Sequence, residues 1–314
     1  MKKWKNALAA FVVGGTLLAG SPVQAAEPAQ NGMAAFREAY QAVSDDYRVF
    51  DEDLTLFGPA FHVDLDSRGQ LAKNGSLLLS GNLKLMFTDQ DSGKINNFEI
   101  PFYFDHNSKA STFYIQWGEE WNKLSLPGTD EISDALETTP TEIAENMALV
   151  KSVELVKDTV SQRSMKLTLD GRKLAALVAK HCQETSKNLT PEEKATQQLQ
   201  VERLTRAFES VDQEVTWVVD KKNWQTITAG VNLTGLMRAY AKVVLQEAAD
   251  GKTVLSDGER EFWETLGYYA ELHSYTTYPT DKAKVEIPAK VKKTAAELDL
   301  LKEIKEGAAA QKTE

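Results

Sequence analysis

The residues of this chain that could do chemistry are four histidines, one cysteine and a scatter of carboxylates, and their spacing limits what they can do. His62, His106, His181 and His273 fall in separate segments, outside any HExxH pattern and without carboxylates at ligand spacing. They specify neither a metal site nor a general base. His181 and Cys182 adjoin, but adjacent residues on a helix point about 100° apart and cannot form a nucleophile and base pair. Cys182 is the sole cysteine, so an intramolecular disulfide is impossible, and a lone thiol in a helical pattern reads as a small buried hydrophobe. Asp89, Asp91 and Gly93 resemble the start of a calcium loop, yet Lys94 stands where glycine is required and Ile100 where a glutamate should close the site. Asp64, Asp66 and Gly69 fail similarly, with Arg68 in a ligand position. Nucleophile-elbow, phosphate-loop and dinucleotide fingerprints are absent. A glycosidase-type carboxylate pair need be close only in space, so two carboxylates facing each other in an open cleft would be its mark. The expectation is no catalytic residue, no metal, no cofactor and no enzyme activity.

The aromatic residues are more informative. In the stretch from Ser76 to Trp121, Leu77, Leu79, Leu83, Leu85 and Phe87 share one parity, and Phe98, Ile100, Phe102 and Phe104 repeat the pattern after a polar turn. Period two marks strands with one dry face. Thr112 to Trp117 makes a third strand, while Pro101 points to an edge or bulge. Covered by helices, such a face is core; on a curved sheet that helices cannot fill, the same side chains line an apolar pocket. Burying about 300 Å² of acyl chain there would contribute roughly 7 kcal/mol before association costs.

The remaining elements fit around these strands. Met33, Phe36, Tyr40 and Val43 recur at helical spacing, and Phe61 to Asp66 alternates as a strand. Thr139-Pro140-Thr141-Glu142 and Thr190-Pro191-Glu192-Glu193 are helix starts; Val150 to Lys157 and Met165 to Asp170 pair as strands, and Gly171 to Lys187 is helical. Gln213 to Asp220 and Trp224 to Leu233 form a hairpin, and Leu236 to Ala249 a helix. Ser256 and Glu259 make a capping box ahead of a turn at Phe262-Trp263, Tyr268 to Tyr278 is extended, and Val285 to Pro288 ends the sheet. Residues 289–314 read as a charged helical tail. This order predicts an α+β fold with a single large curved antiparallel sheet and helices on its concave side.

At 314 residues, with 42% hydrophobic and 26% charged residues, the chain has the makings of a sizeable core. Lys2, Lys3 and Lys5, the apolar run from Ala7 to Ala19, and the small residues Val23 and Ala25 have the layout of a cleavable signal peptide over 1–25, with a linker at 26–32. The apolar run is too short to span a bilayer, so no transmembrane segment is expected in the mature chain. Leu18-Ala19-Gly20 precedes Ser21 where a lipoprotein signal would have cysteine, so no lipid anchor can form there. Losing residues 1–25, with three lysines and no acid, takes the formal net charge from −10 to −13. That excess argues against nucleic acid and anionic membrane surfaces as partners.

Phe113-Tyr114-Ile115 followed by Trp121-Asn122-Lys123-Leu124, the run Met165 to Gly171, the hairpin Trp217 to Trp224, and Tyr278 with Val285-Glu286-Ile287-Pro288 together resemble the lipoprotein-carrier superfamily of LolA/LppX-like half-barrels. Coverage is over 33–288. The resemblance implies an exported, periplasmic or extracellular binding protein with an apolar cavity for a lipid or other amphiphile. Leu85, Phe87, Phe102, Phe104, Phe113 and Trp217 are its expected wall residues. No family arginine maps onto a residue here, and Ser21 departs from the lipidated members. The alternative is a non-enzymatic cell-envelope structural or interaction protein with a self-filled core and a protein partner.

Overall fold

Alternation in the sequence becomes one sheet. The computed structural model describes residues 32–42, 48–72, 75–88, 93–127, 146–185, 191–279 and 284–297. The expected signal peptide, the turn at 89–92, the helix start at 139–142 and the tail beyond 297 lie outside the described residues. Helix α1 (Gly32–Ala42) precedes a meander of β1 (Arg48–Gly58), β2 (Phe61–Leu71), β3 (Leu77–Thr88), β4 (Ile95–His106), β5 (Ala110–Trp117) and β6 (Glu120–Pro127). Strands β7 (Val150–Asp158) and β8 (Gln162–Leu169) are followed by helices α2 (Gly171–Thr185) and α3 (Pro191–Glu209), then β9 (Gln213–Asp220) and β10 (Gln225–Asn232). Helices α4 (Thr234–Ala249) and α5 (Asp257–Tyr268), strand β11 (Glu271–Thr277), helix α6 (Ala289–Thr294) and the short β12 (Ala296–Glu297) complete the order.

The twelve strands run β12-β6-β5-β4-β3-β2-β1-β11-β10-β9-β8-β7, so the sheet is open and does not close into a barrel. Every pairing is antiparallel except β12 on β6. The fold is thus α+β around one large antiparallel sheet, as the order of elements predicts.

Register defines two faces. Direct partners run from Leu155 through Met165, Trp217, Ala229 and Thr276 to Glu52. The same row continues through Ser67, Gly81, Phe102 and Ile115 to Asn122. Opposed side chains share a face, so this row marks one side of the sheet, here termed inner.

Helix α1 packs on that side. Its Ala35, Phe36, Ala39 and Tyr40 close a core with Met165, Leu167, Val215, Trp217, Val219 and Ala229. Phe36 meets the Trp217 ring edge-on at 5.9 Å. Arg163, 1% exposed, hooks the helix down: Nη1 donates to the Ala35 carbonyl at 2.9 Å and to Glu38 Oε2 at 2.7 Å, and Nη2 to Asp158 Oδ2 at 3.0 Å. Burial pulls the guanidinium pKa down, but the hydrogen bonds to Asp158 and Glu38 outweigh it and hold the group above its ordinary value.

Helices α4 and α5 use the same face further along, where Ala241, Leu266 and Ala270 pack with Leu56, Phe61, Met237 and Trp263. Helix α3 is tied to α4 by the buried Glu247, which receives Arg203 Nε and Arg206 Nη1, both at 2.7 Å. The Ser256 capping box is present, but it opens a full helix where the sequence suggested a turn at Phe262-Trp263. One other expectation changes. Val285 to Pro288 is not a strand but a crossing segment on the outer face. There Val285 N–H donates to Gln70 Oε1 at 3.2 Å, and Ile287, Val291 and Ala295 pack on Tyr103, Tyr114 and Trp121.

Glycines pair with aromatic rings across the strands. Gly69 opposes Phe50 and Gly81 opposes Phe102, and in each pair the ring lies over the glycine. A Cβ on Gly69 would come within 2.1 Å of the Phe50 ring, and one on Gly81 within 2.8 Å of Phe102 and 2.3 Å of the Asp66 carbonyl oxygen. Gly69→Ala and Gly81→Ala should each lower stability by about 1–3 kcal/mol through overpacking, measured by urea unfolding. Arg163→Ala should cost about 3 kcal/mol, because it strands Glu38 and Asp158 beside the core; hydrogen exchange should show the loss concentrated in α1.

Candidate functional site

Among the described residues, the core clusters place helices over only part of the inner face. Strands about 4.8 Å apart make a sheet roughly 50 Å across, while one packed helix covers about 10 Å. Helix α1 sits over β8 to β10, and α4 with α5 over Leu56 and Phe61. None of the described core clusters places a helix on the inner face of β3 to β6.

Among the described residues that stretch is largely apolar, exposed at Phe87 and Phe98 and buried at Leu77, Ile100 and Phe102. Leu85 opposes Phe98, Phe104 opposes Phe113, and Phe102 stacks on Phe113 with ring centroids 5.7 Å apart. Phe87 meets Phe98 at 5.4 Å, and these two rings are 40% and 44% exposed. The structure therefore brings Leu85, Phe87, Phe102, Phe104 and Phe113 together on one wall. Trp217 does not join them: it is 0% exposed beneath α1, its indole N–H donating to Thr226 Oγ1 at 3.1 Å, and it offers no surface to a ligand.

Glu52 was hidden from sequence reasoning. It lies on the inner face between Phe50 and Leu54, where its carboxylate accepts hydrogen bonds from the Ser274 and Thr276 hydroxyls. Glu52 breaks the alternation of Phe50, Leu54 and Leu56, so periodicity gave no signal for it.

The outer face differs in kind. Asp51, Asp53, Asp66, Arg68, Asn82 and Tyr103 line an open groove of about 510 Å³. Asp53 and Asp66 are direct cross-strand partners. Burial, then the charge and hydrogen bond of Asp66, then Asp51 and Asp64, hold the Asp53 carboxyl above its ordinary value. Asp66 also receives Lys84 Nζ at 2.5 Å. Two carboxylates thus face each other, which is the mark set for a hydrolase. Here they are neighbours on a solvated sheet surface, one of them already bound to a lysine, and their mutual repulsion needs no catalytic role to explain it.

The remaining candidates are dispersed. His62 Nε2 lies 2.9 Å from Asp64 Oδ1, His106 Nδ1 lies 2.7 Å from Ser111 Oγ in a buried pair, and His273 is 3.6 Å from Glu271. Burial pushes the half-buried Cys182 thiol up, away from the reactive thiolate. Among the described residues no group of three or more His, Cys, Asp or Glu could hold a metal ion, and no helix is long and apolar enough to cross a membrane.

Fold and site together define an α+β open-sheet protein with a one-sided apolar wall. Comparison with protein-family models gives no match, and comparison with curated proteins gives none. Among solved structures the chain is similar to LprF from Mycobacterium bovis, at 10% identity over 88% of this chain and 96% of that one, with a TM-score of 0.35. At that distance the likeness says nothing about a ligand.

The Asp53 arrangement has a pH signature. A carboxyl raised in the folded state penalises the charged form, so the penalty is full above the folded pKa and disappears as pH falls below the unfolded value. Asp53→Asn should raise the melting temperature at pH 7, and the gain over the parent should vanish in scans below the ordinary aspartate value of 3.8.

Proposed function

We propose that this chain is an exported, non-enzymatic binding or carrier protein that holds an acyl chain or other amphiphile against the inner face of β3 to β5. The observation that supports this is the aromatic wall itself: rings in contact on one face, Phe102 stacked on Phe113 and Phe87 tilted against Phe98, two of them more than a third exposed, with no described helix packed across them. Exposed apolar patches of that kind mark binding surfaces more often than idle ones. The signal-peptide pattern at 1–25 and the resemblance to half-barrel carriers point the same way.

A second reading has its own observation. Ile100 and Phe102 are each only 6% exposed, so part of the wall is already filled by neighbouring side chains. A self-filled face of this sort suits an envelope interaction protein that meets a protein partner.

Native mass spectrometry of the protein taken from its export compartment should show a co-purifying lipid, and the delipidated protein should take up a fluorescent fatty acid. Leu85→Asp and Phe113→Asp should each weaken that uptake at least about tenfold by placing an unpaired charge on the wall. A ligand-free mass with no uptake by the parent protein would sink the carrier reading and favour the interaction protein.

A further inference from the structure

One edge of the sheet is only half closed. Strand β6 pairs with β5 along its whole length, but on its other side the described residues supply only Ala296 and Glu297, in parallel, opposite Asn122 and Lys123. Beyond Lys123 that side of β6 meets no described strand. A bare strand edge is a template for pairing with another chain, and folded proteins cover it.

The register already in place decides what would continue it. Parallel partners advance together, so the residues after Glu297 fall opposite those after Lys123: Leu298 to Leu124, Asp299 to Ser125 and Leu300 to Leu126. Their types match the two faces. Leu124 opposes Phe113, which opposes Phe104 and then Leu79, so Leu298 adds a further apolar member to an inner row. Leu300 falls beside Leu126 on the same face. Asp299 falls on the outer face with the exposed Ser125, following Glu297, whose carboxylate lies 3.4 Å from Lys123 Nζ. Pro127, with no amide to donate, ends the match. A slip of one residue would put Asp299 on the apolar face, and a helix resuming at Leu298 would leave the edge bare.

We infer that the outer edge of β6 over residues 124–126 is a strand-binding surface and that its occupant is residues 298–300 of the same chain, added in parallel as a continuation of β12. The segment closes the sheet against a strand from another copy and widens the apolar wall of β3 to β6 by one strand. This assignment goes beyond the carrier reading and holds whether the wall meets an amphiphile or a protein.

The test is disulfide trapping in the full chain. Ser125→Cys with Asp299→Cys places two thiols in register at one strand spacing, about 4.8 Å between Cα atoms, within the span of a disulfide. Ser125→Cys with Leu300→Cys is the control, because in that register the two side chains point to opposite faces. Peptide mapping separates either bond from one to Cys182. Expected is oxidation of the in-register pair at least about tenfold faster than of the control pair. Equal rates, a faster control pair, no bond in either, or a bond between copies overturns the assignment. Should the cysteine variants fail to fold, amide hydrogen exchange of the parent decides: protection of residues 298–300 as strong as that of Ala296 and Glu297 supports the pairing, and exchange at free-chain rates overturns it.

Discussion

Everything in this molecule depends on one register. Because side chains alternate along each strand and the pairings keep opposed residues in line, one unbroken row crosses from Leu155 to Asn122 on a single face. A slip of one residue anywhere would turn the aromatic wall outward. The glycine and ring pairs hold the register in place: Phe50 can lie over Gly69, and Phe102 over Gly81, only when those residues are directly opposed. The row also grades the face along its length. Large side chains at Met165 and Trp217 fill one end under α1, polar and small ones run from Ala229 to Gly81, and rings resume with Phe102, which lies over Gly81.

The sheet joins two runs of chain that are far apart in sequence. Strand β11 inserts between β1 and β10, so the meander β1 to β6 and the block β7 to β10 become one surface only when the chain has nearly ended. Pairings of that separation fold slowly, since loop closure precedes any gain. The final described segment then crosses the outer face, from Gln70 on β2 to Tyr114 on β5, with Lys292 Nζ 3.2 Å from Asp105 Oδ2, and ends by pairing with β6. It binds the far edge without covering the inner wall. Clamps at Arg163 and Glu247 likewise fix helices to the rest of the structure while leaving β3 to β6 as they are.

What could be read from the sequence was local and periodic. The parity of Leu77 to Phe87 and of Phe98 to Phe104 gave the dry face, and the Ser256 and Glu259 pair gave a helix start that the structure contains. What could not be read was set by tertiary contact. Trp217 and Phe113 follow the same alternation, but α1 covers one and leaves the other on the wall, a difference that depends on Arg163 reaching a helix more than a hundred residues away. Charge interrupts the pattern in β1, a long strand whose acids divide between faces by parity. The parallel pairing of Ala296 and Glu297 with β6 has no periodic signal, being two residues long.

That division of acids explains why neighbouring carboxylates in one strand have different consequences. Asp51 and Asp53 point outward, where water screens them and Arg68 lies 3.0 Å from Asp51. The repulsion between Asp53 and Asp66 is therefore met locally, by Lys84 on Asp66, and what is left of it raises the Asp53 carboxyl. Glu52 points inward, where the surroundings are rings, leucines and small hydroxyls, and where the sheet supplies donors but no countercharge. A carboxylate one position along thus passes from partners that carry charge, Arg68 and Lys84, to partners that are neutral hydroxyls.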